Sequence, residues 1–171
     1  MTLSHIRALA EEYATKYNPD NVSPFPYENI LKQHPDLKIY FTVLEDDNVS
    51  GVILFKDSEF SILINTSKPV TRQNFSLGHE LGHYFLHQDT LRKEQGIVDG
   101  DENQGVLYRL DGSGTDQEEE ANNFAASLIM PADLVRRAWE VTTNIEECAR
   151  IFSVSVVAMS VRLLDLGLIS E

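Results

Sequence analysis

Apolar residues recur at helical spacing from Leu3 through Ile6, Leu9, Ala10 and Tyr13, leaving Glu11, Glu12 and Lys16 for solvent. The chain is therefore predicted to open with a helix that follows Thr2 and ends near Tyr17. Asn18-Pro19-Asp20 and Ser23-Pro24-Phe25-Pro26 break that period, because proline lacks a backbone donor and restricts the residue before it. A short helix over Tyr27 to Lys32 follows. Next come three runs rich in Ile, Val, Leu, Phe and Tyr: Lys38 to Leu44, Gly51 to Phe55 and Phe60 to Ile64. The turn formers Asp46-Asp47-Asn48 and Lys56-Asp57-Ser58 separate them, which predicts a three-stranded antiparallel meander.

From Thr71 to about His87 the helical period returns, with Phe75, Gly78, Gly82 and Phe85 on one stripe and the histidines on the next. The two glycines are expected to let this helix lie close to the sheet. Residues 89–114 are polar and rich in Gly and Asp apart from Val106-Leu107-Tyr108, and they predict a long loop near a functional cleft. A second strong helix is predicted from Asp116 to Met130, and Pro131 suits the first turn of another through Trp139. Helices around Ile145 to Ile151 and Val156 to Leu166 precede Gly167. The fold class is α+β, mostly helical, with a three-stranded antiparallel sheet and C-terminal helices. No repeat, low-complexity tract or linker divides the sequence, so 1–171 is expected to be a single domain. Residues 141–171 are a possible C-terminal subdomain.

Cys148 is the only cysteine, which removes intramolecular disulfides and thiolate metal cages from consideration. There is no basic-then-apolar leader pattern at Met1-Thr2-Leu3-Ser4-His5 and no apolar run of membrane-spanning length, so a cytoplasmic location is expected. The formal net charge of -13 repels a phosphate backbone and argues against direct nucleic-acid binding. Acidity suits a partner with a basic patch, but plain solubility accounts for it more simply, and charge alone names no partner.

The residues that carry chemistry are His79-Glu80-Leu81-Gly82-His83. Two histidines four apart put both imidazoles on one helical face within reach of a single ion, with Glu80 beside them. A zinc ion held this way keeps a position for water and polarises a carbonyl, and Glu80 would accept the proton as general base. The pattern alone is only moderately specific, and a catalytic zinc needs a third protein ligand. Asp116-Gln117-Glu118-Glu119-Glu120-Ala121-Asn122 supplies candidates. Glu118 is preferred because Glu118, Asn122 and Ala125 share a helical face; Glu120 stays open because helix phase is not fixed by the sequence. The acidic cluster also suits a helix N-terminus on dipole grounds alone. His87 lies one turn beyond His83, about 6 Å along the axis, too far for easy coordination. His5 and His34 have no evident partner. Tyr84, His87, Tyr108 and Arg109 have chemistry suited to stabilising an oxyanion, and nothing in their spacing selects one.

Phe75-Ser76-Leu77-Gly78-His79-Glu80-Leu81-Gly82-His83 together with Glu118-Glu119-Glu120-Ala121-Asn122-Asn123-Phe124-Ala125-Ala126-Ser127-Leu128-Ile129-Met130-Pro131 resembles the ImmA/IrrE metallopeptidases. The likeness runs from the second predicted strand to the C-terminus. It implies a minimal zincin-like domain, zinc on His79, His83 and Glu118, and catalysis by Glu80. It also implies a helix-turn-helix transcriptional repressor as the protein substrate, cleaved to release mobile-element or stress-response genes. The tail Ala149 to Ala158, with its short turn at Ser153-Val154-Ser155, looks like a helix-turn-helix. Only Arg150 and Arg162 are basic there, so protein contact or packing is expected rather than DNA reading. The alternative function is a non-proteolytic module that keeps the zinc site and sequesters a repressor or toxin.

Overall fold

The computed structural model describes residues 1–95 and 115–170. The elements are α1 (Leu3–Tyr17), α2 (Glu28–Leu31), β1 (Leu37–Thr42), β2 (Gly51–Lys56), β3 (Glu59–Asn65), α3 (Val70–Leu86), α4 (Gln88–Gln95), α5 (Thr115–Ile129), α6 (Ala132–Thr142), α7 (Ile145–Phe152) and α8 (Val156–Asp165). Thr2 caps α1 by accepting from the His5 amide at 3.3 Å, and Ile6, Ala10, Ala14 and Tyr17 form its buried stripe. The α4 helix covers ground expected to be loop. The remainder of the expected long loop, with Val106, Leu107, Tyr108 and Arg109, lies outside the described residues.

The antiparallel meander is corrected by the sheet itself, whose order is β1-β3-β2. β2 and β3 form the expected hairpin, with Asp57 and Ser58 both at positive φ in the turn. β1 instead pairs parallel to β3 on its other side, Leu37 opposite Phe60 and Thr42 opposite Asn65. The reason is the length of the first connection. A two-residue turn forces neighbours to pair, whereas residues 43–50 are long enough to step over an intervening strand. Buried Asn65 clamps the crossing: its Nδ2 donates to Val49 O at 2.8 Å, and its Oδ1 accepts from the Leu44 amide at 3.3 Å and the Ser67 amide at 3.1 Å. This clasp sets the segment 48–50 beside the start of α3.

On β3 the alternating residues Phe60, Ile62 and Ile64 are fully buried. α3 packs on β2 and β3 with one side and on α5 with the other, and α1 lies against α5. The glycine expectation is corrected here, since both glycines of α3 face α5 rather than the sheet. A Cβ on Gly82 would come within 3.0 Å of the Ala121 backbone, and one on Gly78 within 3.3 Å of the Ala125 Cβ. Glycine inside a helix costs about 1 kcal/mol relative to alanine; the close approach of α5 is what it permits. The hydrophobic core continues from Ile6 through Phe124 to Leu163.

Candidate metal centre

The contact between α3 and α5 determines the site. His79 and His83, one turn apart on α3, bring their Nε2 atoms to 3.1 Å from each other. Glu118, in the first turn of α5, faces both imidazoles, with Oε2 at 3.1 Å from His79 Nε2 and Oε1 at 3.1 Å from His83 Nε2. One ligand atom from each of these residues can be chosen so that all lie within 4.8 Å, and among the described residues this group could hold a metal ion. The 3.1 Å separations are close to the edges of about 3.3 Å expected between ligands of a tetrahedral ion with 2.0–2.1 Å bonds. The donor set of two imidazoles and one carboxylate suits a borderline cation with one position left open.

The far ring nitrogens are also held. His79 Nδ1 lies 2.8 Å from Asn122 Oδ1, one turn after Glu118 on α5. An amide oxygen only accepts, so Nδ1 carries the proton and Nε2 presents its lone pair. On the other ligand, His83 Nδ1 lies 3.0 Å from His87 Nδ1, while His87 Nε2 lies 2.8 Å from Glu120 Oε2. The Glu120 carboxylate accepts from His87 Nε2–H; the Nδ1 of neutral His87 then accepts from His83 Nδ1–H, which again turns Nε2 toward Glu118. His83 and His87 are buried, so this chain is shielded from water. The two carboxylates left open by the sequence thus part company: Glu118 meets the histidine pair, and Glu120 meets His87.

Without a metal the same Nε2 atoms face Glu118 as N–H donors instead of lone pairs, and these contacts shift titration. Hydrogen bonds from His79 and His83 hold the Glu118 carboxyl far below the usual carboxylate range. Burial opposes charging of His79, but the Glu118 hydrogen bond and the charges of Glu80 and Glu118 outweigh it, and its pKa is raised. The hydrogen bond from His87 lowers Glu120 against the opposing effect of burial.

The histidine pair and Glu118 open into a cavity of about 320 Å³ that Glu80, Asn122, Ser76, Phe75, Arg72 and the segment Asn48 to Val52 also line. Glu80 is buried, and the absence of a side chain at Gly51 leaves it room: a Cβ there would touch Glu80 Cγ at 3.4 Å. Tyr84, one of the expected oxyanion candidates, points elsewhere. Its hydroxyl donates to Asp36 at 3.1 Å and lies 3.0 Å from His34 Nδ1, inside the core. His34 also meets the Tyr17 hydroxyl at 2.7 Å, which makes it a link between α1 and α3, while His5 lies exposed on α1. Tyr108 and Arg109 lie outside the described residues. Asn122 as an orienting group and Arg72 as a cavity residue were not singled out from the sequence for these roles. The spacing of Asn122 from Glu118 was the available signal; for Arg72 there was none without the β1–β2 crossing.

A family model described as the IrrE N-terminal-like domain, a peptidase family, matches residues 32–164. Among solved structures, a Mycobacterium tuberculosis transcriptional regulator is similar with a TM-score of 0.63 and 16% identity over 93% of this chain. That likeness is one of fold, and this chain spans 46% of the regulator's length. No curated protein matches the chain.

Proposed function

This chain belongs to the peptidase family of IrrE N-terminal-like domains, and on that premise we propose that it is a zinc-dependent endopeptidase of minimal zincin-like design, contained in one domain over 1–171. The observation that carries the reading is the meeting of His79, His83 and Glu118 at one end of a cavity that Glu80 also lines. In it, His79 and His83 from α3 and Glu118 from α5 hold the ion. When bound, zinc supplies Lewis acidity toward a peptide carbonyl and toward water. Glu80 accepts a proton from water at its carboxylate and returns it to the leaving amine. Asn122 and the His87–Glu120 pair keep each imidazole in the tautomer that offers Nε2. Glu80 is itself buried, which limits water around it and strengthens each charge interaction there.

The substrate we propose is a helix-turn-helix transcriptional repressor, cut to release the genes it silences, in a protein that works in the cytoplasm and does not itself hold nucleic acid. The α7–α8 pair supports protein contact rather than DNA reading. Arg162 is buried, its Nε donating to Met130 O at 2.9 Å and its Nη2 pairing with Glu11, so it is not presented to phosphate. Residues 141–171 would then be a docking subdomain with a helix-turn-helix-like outline. No helix among the described residues is long and apolar enough to cross a membrane.

The test is to incubate the zinc-loaded protein with a helix-turn-helix repressor encoded beside it and weigh the products, with and without a chelator. Defined fragments that disappear with chelator and in a Glu80→Gln variant are expected, with zinc still bound in that variant. Full cleavage by Glu80→Gln would refute the assignment, and a stable complex without fragments would favour sequestration.

A further inference from the structure

Arg72 lines the same cavity and takes no part in holding the ion or moving the proton. It stands seven residues before His79 on α3, two turns along the same helix, or about 10 Å by axial rise. Its Nε donates to Ser50 Oγ at 3.0 Å, which fastens the base of the guanidinium to the β1–β2 crossing. Among the described residues it makes no ion pair. The acidic residue closest in sequence to Ser50, Asp47, is occupied by Lys68 and by the Ser67 hydroxyl. The chain carries 27 acidic and 14 basic residues, and among the described residues no other lysine or arginine lines this cavity. An exposed arginine on a helix is ordinarily just solvated. Here one edge of the guanidinium is fixed by Ser50, and among the described residues no carboxylate takes up its two terminal nitrogens, the fork that matches a carboxylate in bidentate fashion.

We propose that Arg72 is a specificity-determining residue that reads a carboxylate on an extended peptide lying along α3. The assignment rests on the proteolytic reading and deepens it to a substrate class: peptides with an Asp or Glu near the cleaved bond. An extended chain advances about 3.3 Å per residue, so 10 Å places that acid about three residues from the bond, within a window of two to four. The strong negative charge of the protein would otherwise disfavour an acidic segment, so a single cation at this point sets the position of the acid as well as its sign.

The experiment exposes a randomised dodecapeptide mixture to the zinc-loaded wild type, Arg72→Gln and Arg72→Glu, and sequences the fragments by mass spectrometry. The expected wild-type result is about a five-fold preference for Asp or Glu over Asn or Gln at one position in the window, the upper size of one ion pair at an exposed site. Arg72→Gln loses the preference, and Arg72→Glu transfers it to Lys or Arg at the same position. A wild type without acid preference, or an Arg72→Gln variant that keeps it, overturns the proposal while leaving the peptidase intact. If the wild type cuts nothing, the peptidase reading fails instead. The Arg72 assignment is then decided by fluorescence anisotropy of acidic and matching amide dodecapeptides on zinc-loaded Glu80→Gln protein. Equal binding of the two overturns it; about five-fold tighter binding of the acidic set, lost with Arg72→Gln, supports it.

Discussion

The α3–α5 contact and the α7–α8 pair treat polar and apolar groups in opposite ways. Between α3 and α5, His83 and His87 are buried, and their ring nitrogens meet Glu118 and Glu120 across the helix boundary. At α7–α8 the polar group of note, Arg162, is turned inward to Met130 and Glu11, while Val156, Val157 and Val161 stay in water. Buried polar side chains are costly unless fully partnered, so a run of them aimed into a cavity indicates chemistry. Arg162 is satisfied by a backbone carbonyl and a carboxylate and does not line the cavity of the histidine pair; it holds α8 to α1 and to the end of α5. The comparison teaches that burial of charge alone does not mark a site; what the chain of partners ends on does.

The largest effect should come from Glu118→Ala. Removing a ligand is expected to weaken zinc by more than the 10–100-fold that loss of an outer partner costs. Competition against a chromophoric chelator measures this, and an affinity within ten-fold of wild type would break the distinction between the two regions. Next, Arg162→Ala leaves the Glu11 carboxylate with only the Ala132 amide and is expected to cost about 3 kcal/mol of stability, the lower end for a broken buried pair because Glu11 keeps that amide and reaches solvent. Urea unfolding gives the number, and zinc affinity of the folded variant should stay unchanged.

His87→Phe should lower zinc affinity about 10–100-fold, because His83 Nδ1 loses its acceptor. His87→Gln, whose amide offers an acceptor to His83 and a donor to Glu120, should recover part of that loss; a purely packing role would give no such difference. The smallest effect belongs to Val157→Asp on the exposed face of α8, within about 0.5 kcal/mol in unfolding free energy and without change in zinc affinity. Impaired repressor cleavage in that variant alone would mark α8 as a docking face.

The part of this account that was legible beforehand depends on local geometry. Spacing of four puts His79 and His83 on one face whatever surrounds them, and the shared face of Glu118, Asn122 and Ala125 follows from the same period. Helix limits were close because Thr2, Pro131 and the Ser153-Val154-Ser155 turn act within a few residues. What escaped depends on residues far apart in the chain. The parallel partner of β1 is set by a connection whose route Asn65 holds. Gly78 and Gly82 announced a close neighbour without saying whether sheet or helix, and the answer was α5. The position of His87 one turn beyond His83 is local, but its partner Glu120 stands 33 residues away on another helix.

The central claim is that two imidazoles from α3 and one carboxylate from α5 share a single ion. X-ray absorption at the zinc edge of protein loaded with one equivalent tests it most directly. The predicted spectrum contains the multiple scattering of two histidines and first-shell nitrogen and oxygen at about 2.0–2.1 Å. A shell of light oxygen atoms without imidazole scattering, or a spectrum unchanged by Glu118→Ala, would contradict it.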